Sequence, residues 1–169
     1  MNIEYIKSNR KTLALEITKD MRILVRMPRT CSMKRAEQFV RDHEDWLERH
    51  LLRQQQRSEK YDLTDKQIKA LRQRAKQVIP ERVAHYTKLT GLTPSAVHIT
   101  SAKTRFGSCS GKNSLNFSLY LMLYSEGAVD YVVLHEICHI AFKNHSKEFY
   151  NLISRYMPEY RTYIKELKL

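Results

Sequence analysis

Apolar residues alternate with polar or small ones over the first 28 positions of the chain. Leu13, Leu15 and Ile17 stand on one side of a short turn at Lys19-Asp20, and Ile23, Val25 and Met27 on the other. Period-two spacing on both sides of a turn predicts a β-hairpin. Residues 3–7 are expected to add a strand, and Pro28 to end the sheet. The period then changes. Ser32 is placed to cap a helix, with Glu37 early in it. Ala36, Phe39, Val40, His43, Trp46, Leu47 and His50 recur at three- and four-residue steps, so the helical pattern runs to about residue 57. The polar stretch 54–60 closes that helix or connects it onward. Thr64 caps a second helix with Ile68, Leu71, Ala75, Val78 and Ile79 on its apolar side and Lys69, Arg72 and Lys76 along a basic stripe. Gly91, Thr93 and Pro94 stop it. Residues 96–100 and 114–118 read as strands, joined by a small, polar, positively charged loop over 101–112. Val129 to Ala141 is apolar almost throughout and reads as a further helix. Strands and helices mixed in this way predict an α+β fold.

A chain of 169 residues with 42% hydrophobic and 28% charged residues belongs with ordinary globular proteins and not with disordered ones. Its length suits one domain, with an N-terminal elaboration. No apolar run reaches membrane-spanning length, and the N-terminus lacks a secretory signal pattern, so cytoplasmic residence is the expectation. Cys31, Cys109 and Cys138 cannot all pair, which fits a reducing compartment. The net charge of +12 is uneven: residues 125–169 carry six Lys+Arg against six Asp+Glu, and the whole excess lies upstream. A basic surface suits anionic partners, whether nucleotide, nucleic acid or acidic peptide, although basic stripes are also ordinary solvated faces.

The apolar helix over 129–141 carries His135-Glu136-Ile137-Cys138-His139. Side chains four apart lie one turn above each other on a helix, so His135 and His139 can hold one metal ion between them. Glu136 is rotated by about 100° from His135, too far round to share the ion and close enough to take a proton from a water activated there. Two ligands beside a general base are the arrangement of zinc-dependent hydrolysis, and Zn2+ is the expected cofactor. A catalytic zinc needs a third protein ligand. His145, six residues after His139, would lie about 240° round an unbroken helix, so the chain must turn between Ile140 and Asn144. In metzincins, which share this histidine spacing, a glycine makes the turn. Here that position is Phe142, and Asn144, which tolerates the left-handed conformation, is expected to serve. Ser146 would then cap the next helix, with Glu148 in its first turn. The rival third ligand is a downstream acid: Glu148, Glu159 or Glu166. Negative charge developing in the reaction needs a further donor, for which Arg105, Tyr120, Tyr124 and Tyr156 are candidates. Arg105 is the proposed substrate-binding residue, set against a plain surface ion pair.

Several stretches together resemble the YgjP-like metal-dependent hydrolases, which belong with the SprT-like zinc metallopeptidases. They are Thr104-Arg105-Phe106-Gly107-Ser108-Cys109-Ser110, then Leu115-Asn116, then Asp130 through His139, then Asn144-His145-Ser146-Lys147-Glu148-Phe149. The resemblance is strongest over residues 100–160. It implies a zincin-like metallopeptidase fold, with a metal-binding helix packed on a sheet. It also implies a division into strands and helix over 1–60 and a catalytic core over 61–169. His135, His139 and His145 would be the zinc ligands and Glu136 the base. Phe106 and Tyr150 stand where the family usually has tryptophan, which implies altered packing with the chemistry kept. The activity implied is that of a peptidase acting on peptide or protein. Nucleotide pyrophosphatase chemistry on the same site is the alternative, and a nucleic-acid-associated role with a subsidiary zinc site is the third reading.

Overall fold

The computed structural model describes residues 3–18 and 20–168, without the Arg57 side chain. These fall into two compact units, Met1–Asp62 and Leu63–Leu169. No helix among the described residues is long and apolar enough to cross a membrane.

In the first unit the expected hairpin forms. Strand β2 (Ala14–Ile17) pairs antiparallel with β3 (Ile23–Pro28), setting Leu15 opposite Val25 and Ile17 opposite Ile23. Of the turn predicted at Lys19-Asp20, Lys19 lies outside the described residues. Strand β1 (Ile3–Ser8) lies on the other side of β3 and runs parallel to it, giving the order β1-β3-β2. Side chains two apart share a face of a strand. Val25 and Met27 accordingly bury together against Ala36 of helix α1 (Met33–Arg41), with Tyr5, Leu15 and Val40 packed around them. Ser32 caps α1 through the amide of Arg35.

The single helix expected up to residue 57 is two, because α1 stops and α2 (Glu44–Lys60) begins afresh. At the junction the His43 amide donates to the Val40 carbonyl at 3.0 Å, three residues back, and the Asp42 carboxylate accepts from the Gln38 amide at 2.8 Å. A turn tightened in this way leaves the apolar spacing intact, so periodicity cannot register it.

In the second unit, Thr64 and Gln67 form a capping box at the start of α3 (Asp65–Thr90), and Gly91, at φ 73°, closes its far end. Strands β4 (Ala96–Thr100), β5 (Gly107–Cys109) and β6 (Ser114–Ser118) follow in the order β4-β6-β5. Strand β4 is parallel and β5 antiparallel to β6, so β5 is an edge strand. It lies within the segment predicted to be a loop. A 3-10 turn over Leu119–Leu123 leads to α4 (Glu126–Ala141), which begins three residues before the expected start, with Ser125 as its cap. Nine of its 16 residues are buried, as befits a helix apolar on all sides. It packs against α3, β5, α5 (Lys147–Tyr156) and α6 (Tyr160–Leu167). Arg82 of α3 pairs with Glu126 and Asp130 of α4, at 3.3 and 3.4 Å. Leu115, Phe117, Leu134, Ile137, Phe149 and Ile153 are fully buried around α4. Each contributes on the order of 1.5–3 kcal/mol by leaving water, which anchors the metal-motif helix in this unit.

Candidate metal centre

Helix α4 ends at Ala141 because Phe142 takes an extended conformation, with φ −127° and ψ 107°. This corrects the expectation for Asn144. Among the described residues other than glycine, positive φ occurs at Met21 and Asn113, so Asn144 is not left-handed. One extended residue at the helix end already redirects the chain, and no left-handed residue is needed. The Phe142 carbonyl accepts a hydrogen bond from His139 Nδ1 at 2.9 Å, which ties the turn to the motif it follows. Lys143 then fastens the turn to the β5–β6 connection by donating to Asn113 Oδ1 at 2.6 Å and to the Ser110 carbonyl at 3.3 Å. Ser146 caps α5 through the amide of Phe149, as expected.

The turn carries His145 back to the motif. His135 Nε2 lies 3.2 Å from His139 Nε2 and 3.1 Å from His145 Nε2, and the ligand atoms of all three residues fall within 4.8 Å of one another. Nitrogens bound at about 2.0–2.1 Å to a tetrahedral ion stand roughly 3.3 Å apart, so two of the three separations already match. A carbonyl can only accept, so His139 carries its proton on Nδ1 and leaves the Nε2 lone pair for a metal. Tyr131 Oη lies 3.2 Å from His135 Nδ1 and holds that ring in orientation. The ring of Phe149, fully buried, supports all three imidazoles at centroid distances of 4.9, 4.5 and 5.0 Å. Burial, and then His139 and His145, push the His135 imidazole down to about 3, which keeps it neutral and available as a donor. The donor set therefore fits a divalent metal.

Glu136 is 6% exposed, and burial pushes its carboxyl up to about 7. Its Oε2 is buried without a hydrogen-bond partner. Space for this side chain exists only because residue 107 of β5 is glycine. A Cβ there would lie 2.6 Å from Glu136 Cγ and Oε1 and 2.8 Å from Cδ. Gly107→Ala is expected to push the carboxylate aside while leaving the fold and the three imidazoles in place. Displacements of about 1 Å in a reacting group lower rates by roughly a hundredfold. A drop of that order with unchanged metal content, from kinetics and elemental analysis, is the expected result. Unchanged kcat would show that the carboxylate tolerates the shift.

The rival acids lie in other settings. Glu166 accepts from the amide and hydroxyl of Ser125, at 2.8 and 2.7 Å, and so braces the start of α4. Glu148 sits exposed in the first turn of α5, where its own amide and the Ser146 hydroxyl hold its carboxyl below the usual range. Glu159 precedes α6 without making a side-chain cap. Among the described residues, the cluster able to hold a metal ion consists of the three imidazoles. Arg105 is exposed at a pocket of about 280 Å³ bordered by Phe106, Gly107, Ser108 and Asn116. Tyr120 and Tyr124 are buried, and Phe106 meets Tyr124 edge-on at 4.9 Å. Sequence reasoning passed over four contributors: Tyr131, the Phe142 carbonyl, Phe149 and Gly107. Tyr131 was open to detection, since it precedes His135 by four residues on the same helix face.

A helix presenting two imidazoles and a buried carboxylate, with a third imidazole returned by a turn, is the donor arrangement of a metal-dependent hydrolase. The metallopeptidase-domain profile of the YgjP-like family matches residues 11–68 and 54–169, and the chain belongs to that family. It is a metallopeptidase by family, and its hydrolysis depends on a divalent metal. Two solved structures are similar in part. The metallopeptidase zymogen of Pyrococcus abyssi abylysin aligns with 17% identity and a TM-score of 0.49, over 53% of this chain and 90% of its own. The metallopeptidase zymogen of Methanocaldococcus jannaschii jannalysin aligns with 24% identity and a TM-score of 0.47, over 54% of this chain and 97% of its own. No curated protein matches.

Proposed function

We propose that the chain is a zinc metallopeptidase in which His135, His139 and His145 hold the ion and Glu136 is the general base. One observation carries this reading: three imidazoles with ligand atoms within 4.8 Å of one another are gathered on a helix that also carries, directly after His135, a buried carboxylate with an unpartnered oxygen. Three nitrogen donors with a fourth position open are the ligand set of catalytic zinc. When bound, the zinc supplies Lewis-acid polarisation of the substrate carbonyl and lowers the pKa of the attacking water. Glu136, whose Oε2 has no hydrogen-bond partner, would take the proton of the attacking water and hand it to the leaving amine. Tyr131 and the Phe142 carbonyl keep the imidazoles oriented throughout. Edge strand β5 offers unpaired backbone groups beside Glu136, against which an extended peptide can add as a further strand. Arg105, two residues before Gly107, is the proposed substrate-binding cation. Lys143 is committed to Asn113 and Ser110, which does not favour a phosphate-binding role for it in nucleotide hydrolysis. The free thiols of Cys31, Cys109 and Cys138 suit the cytoplasm, the location we propose.

The deciding experiment is cleavage of casein-like fluorogenic peptides by protein of known metal content. Activity should vanish on chelation and return with one equivalent of zinc. Hydrolysis of nucleoside triphosphates by the zinc-loaded protein, with peptides left intact, would replace the peptidase reading.

A further inference from the structure

A groove of about 730 Å³ lies between α5 and α6, separate from the Arg105 pocket. Its lining includes Tyr150, Tyr160, Pro158 and Ile164 together with two cations, Lys147 and Arg161, and no carboxylate. Neither cation forms an ion pair among the described residues. Arg161 is nevertheless held: its Nε donates to Tyr160 Oη at 3.4 Å, and its guanidinium lies 5.9 Å above that ring. Tyr150 is the side chain that links the groove lining to the metal centre. The Tyr150 ring lies 6.1 Å from the His145 ring, nearly parallel to it, and 6.0 Å from Tyr160. Tyr160 stacks at 6.2 Å on Tyr131, whose hydroxyl meets His135.

An extended peptide advances about 3.3–3.6 Å per residue. Tyr150 stands 6.1 Å from the His145 ring, so a residue about two positions from a bond cleaved at the imidazole cluster spans the distance to the Tyr150 side of the groove. The half-buried Tyr150 ring, with Pro158 and Ile164, offers a surface for the apolar stem of a side chain, and the cations offer a partner for its end. A ligand with a negative end satisfies both features, whereas a purely apolar one would leave the cations unmatched.

We propose that this groove is a specificity subsite for a substrate carboxylate near the cleaved bond, with Lys147 and Arg161 as its determinants. The carboxylate belongs either to an Asp or Glu side chain or to the C-terminus of the peptide. The proposal rests on the peptidase reading, and the test keeps the two apart.

Zinc-loaded protein carrying Glu136→Gln, which should bind without cleaving, is titrated with fluorescent peptides and followed by anisotropy. One Glu or one Gln is walked along an otherwise neutral sequence, with the C-terminus free or amidated. The best Glu peptide, or the free-acid peptide, should bind roughly threefold to tenfold tighter than its neutral counterpart, as expected for two solvent-facing ion pairs. Adding Lys147→Glu with Arg161→Glu should bring that ratio to one or below, and the milder Lys147→Gln should place it in between. Both positions are exposed, so folding and zinc content should survive. A preference limited to free C-termini assigns the terminal carboxylate, and one that follows the walked Glu assigns the side chain. Equal binding of acidic and neutral peptides overturns the proposal, as does a ratio that charge reversal leaves unchanged. Cleavage of the same peptides by the unaltered protein is read separately. Its absence would sink the peptidase reading, while the binding ratio still decides the groove.

Discussion

Glu136→Gln should reduce peptide hydrolysis by at least about a hundredfold while the protein keeps its full complement of metal. Loss of a positioned general base typically lowers rates by roughly 10²–10⁴. The substitution preserves volume and brings no charge into a site that is 6% exposed, so the fold is not expected to suffer. The imidazoles are held by Tyr131, the Phe142 carbonyl and Phe149 and not by a hydrogen bond to Glu136, so metal binding should persist. Comparison with Gly107→Ala separates chemistry from placement. The first variant removes the proton acceptor and the second only moves it, so the Gln protein should be the slower of the two. Wild-type turnover in Glu136→Gln, with elemental analysis reporting full metal, would remove Glu136 from the role of base.

The parts of this molecule legible in its sequence are those fixed by local physics. Alternation of Leu15 and Ile17 with Val25 and Ile23 defined the β2–β3 hairpin, because a tight turn leaves the two strands little choice of partner. Hydroxyl caps at Ser32, Thr64 and Ser146 marked helix starts, because each satisfies an amide three residues on. What escaped depends on distant partners. Residues 3–7 read as a strand, but nothing local says that it crosses to the far edge of β3 and runs parallel. Strand β5 has three residues, too few to establish a period, and it exists because β6 lies beside it. The turn to His145 was correctly inferred as necessary and wrongly given to Asn144. Its actual device, an extended Phe142, has no residue-type signature. Gly107 is the clearest case: its lack of a side chain serves Glu136, 29 positions away, and only the packed structure makes that visible.

His145→Ala should weaken metal binding by at least about a hundredfold, whereas Glu159→Ala and Glu166→Gln should leave it unchanged. Residues that merely orient a ligand typically cost roughly 10–100-fold in affinity, and a residue that is itself one of three ligands should cost more. His145 is the most exposed of the cluster, yet its Nε2 stands 3.1 Å from that of His135, and Tyr150 and Phe149 flank its ring. Glu166 can be lost only at the expense of Ser125 and the start of α4. The expected penalty there is about 1 kcal/mol of stability, with no change in metal affinity. Titration against a competing chelator, with thermal melts alongside, distinguishes the two effects. His135→Ala or His139→Ala should abolish stoichiometric binding altogether, since each removes a donor from the rigid, buried helix and not from the turn. A metal-bound structure with a carboxylate of Glu148, Glu159 or Glu166 on the ion and His145 turned away would refute the three-imidazole assignment. The extended Phe142 would then end α4 without delivering a ligand to the ion.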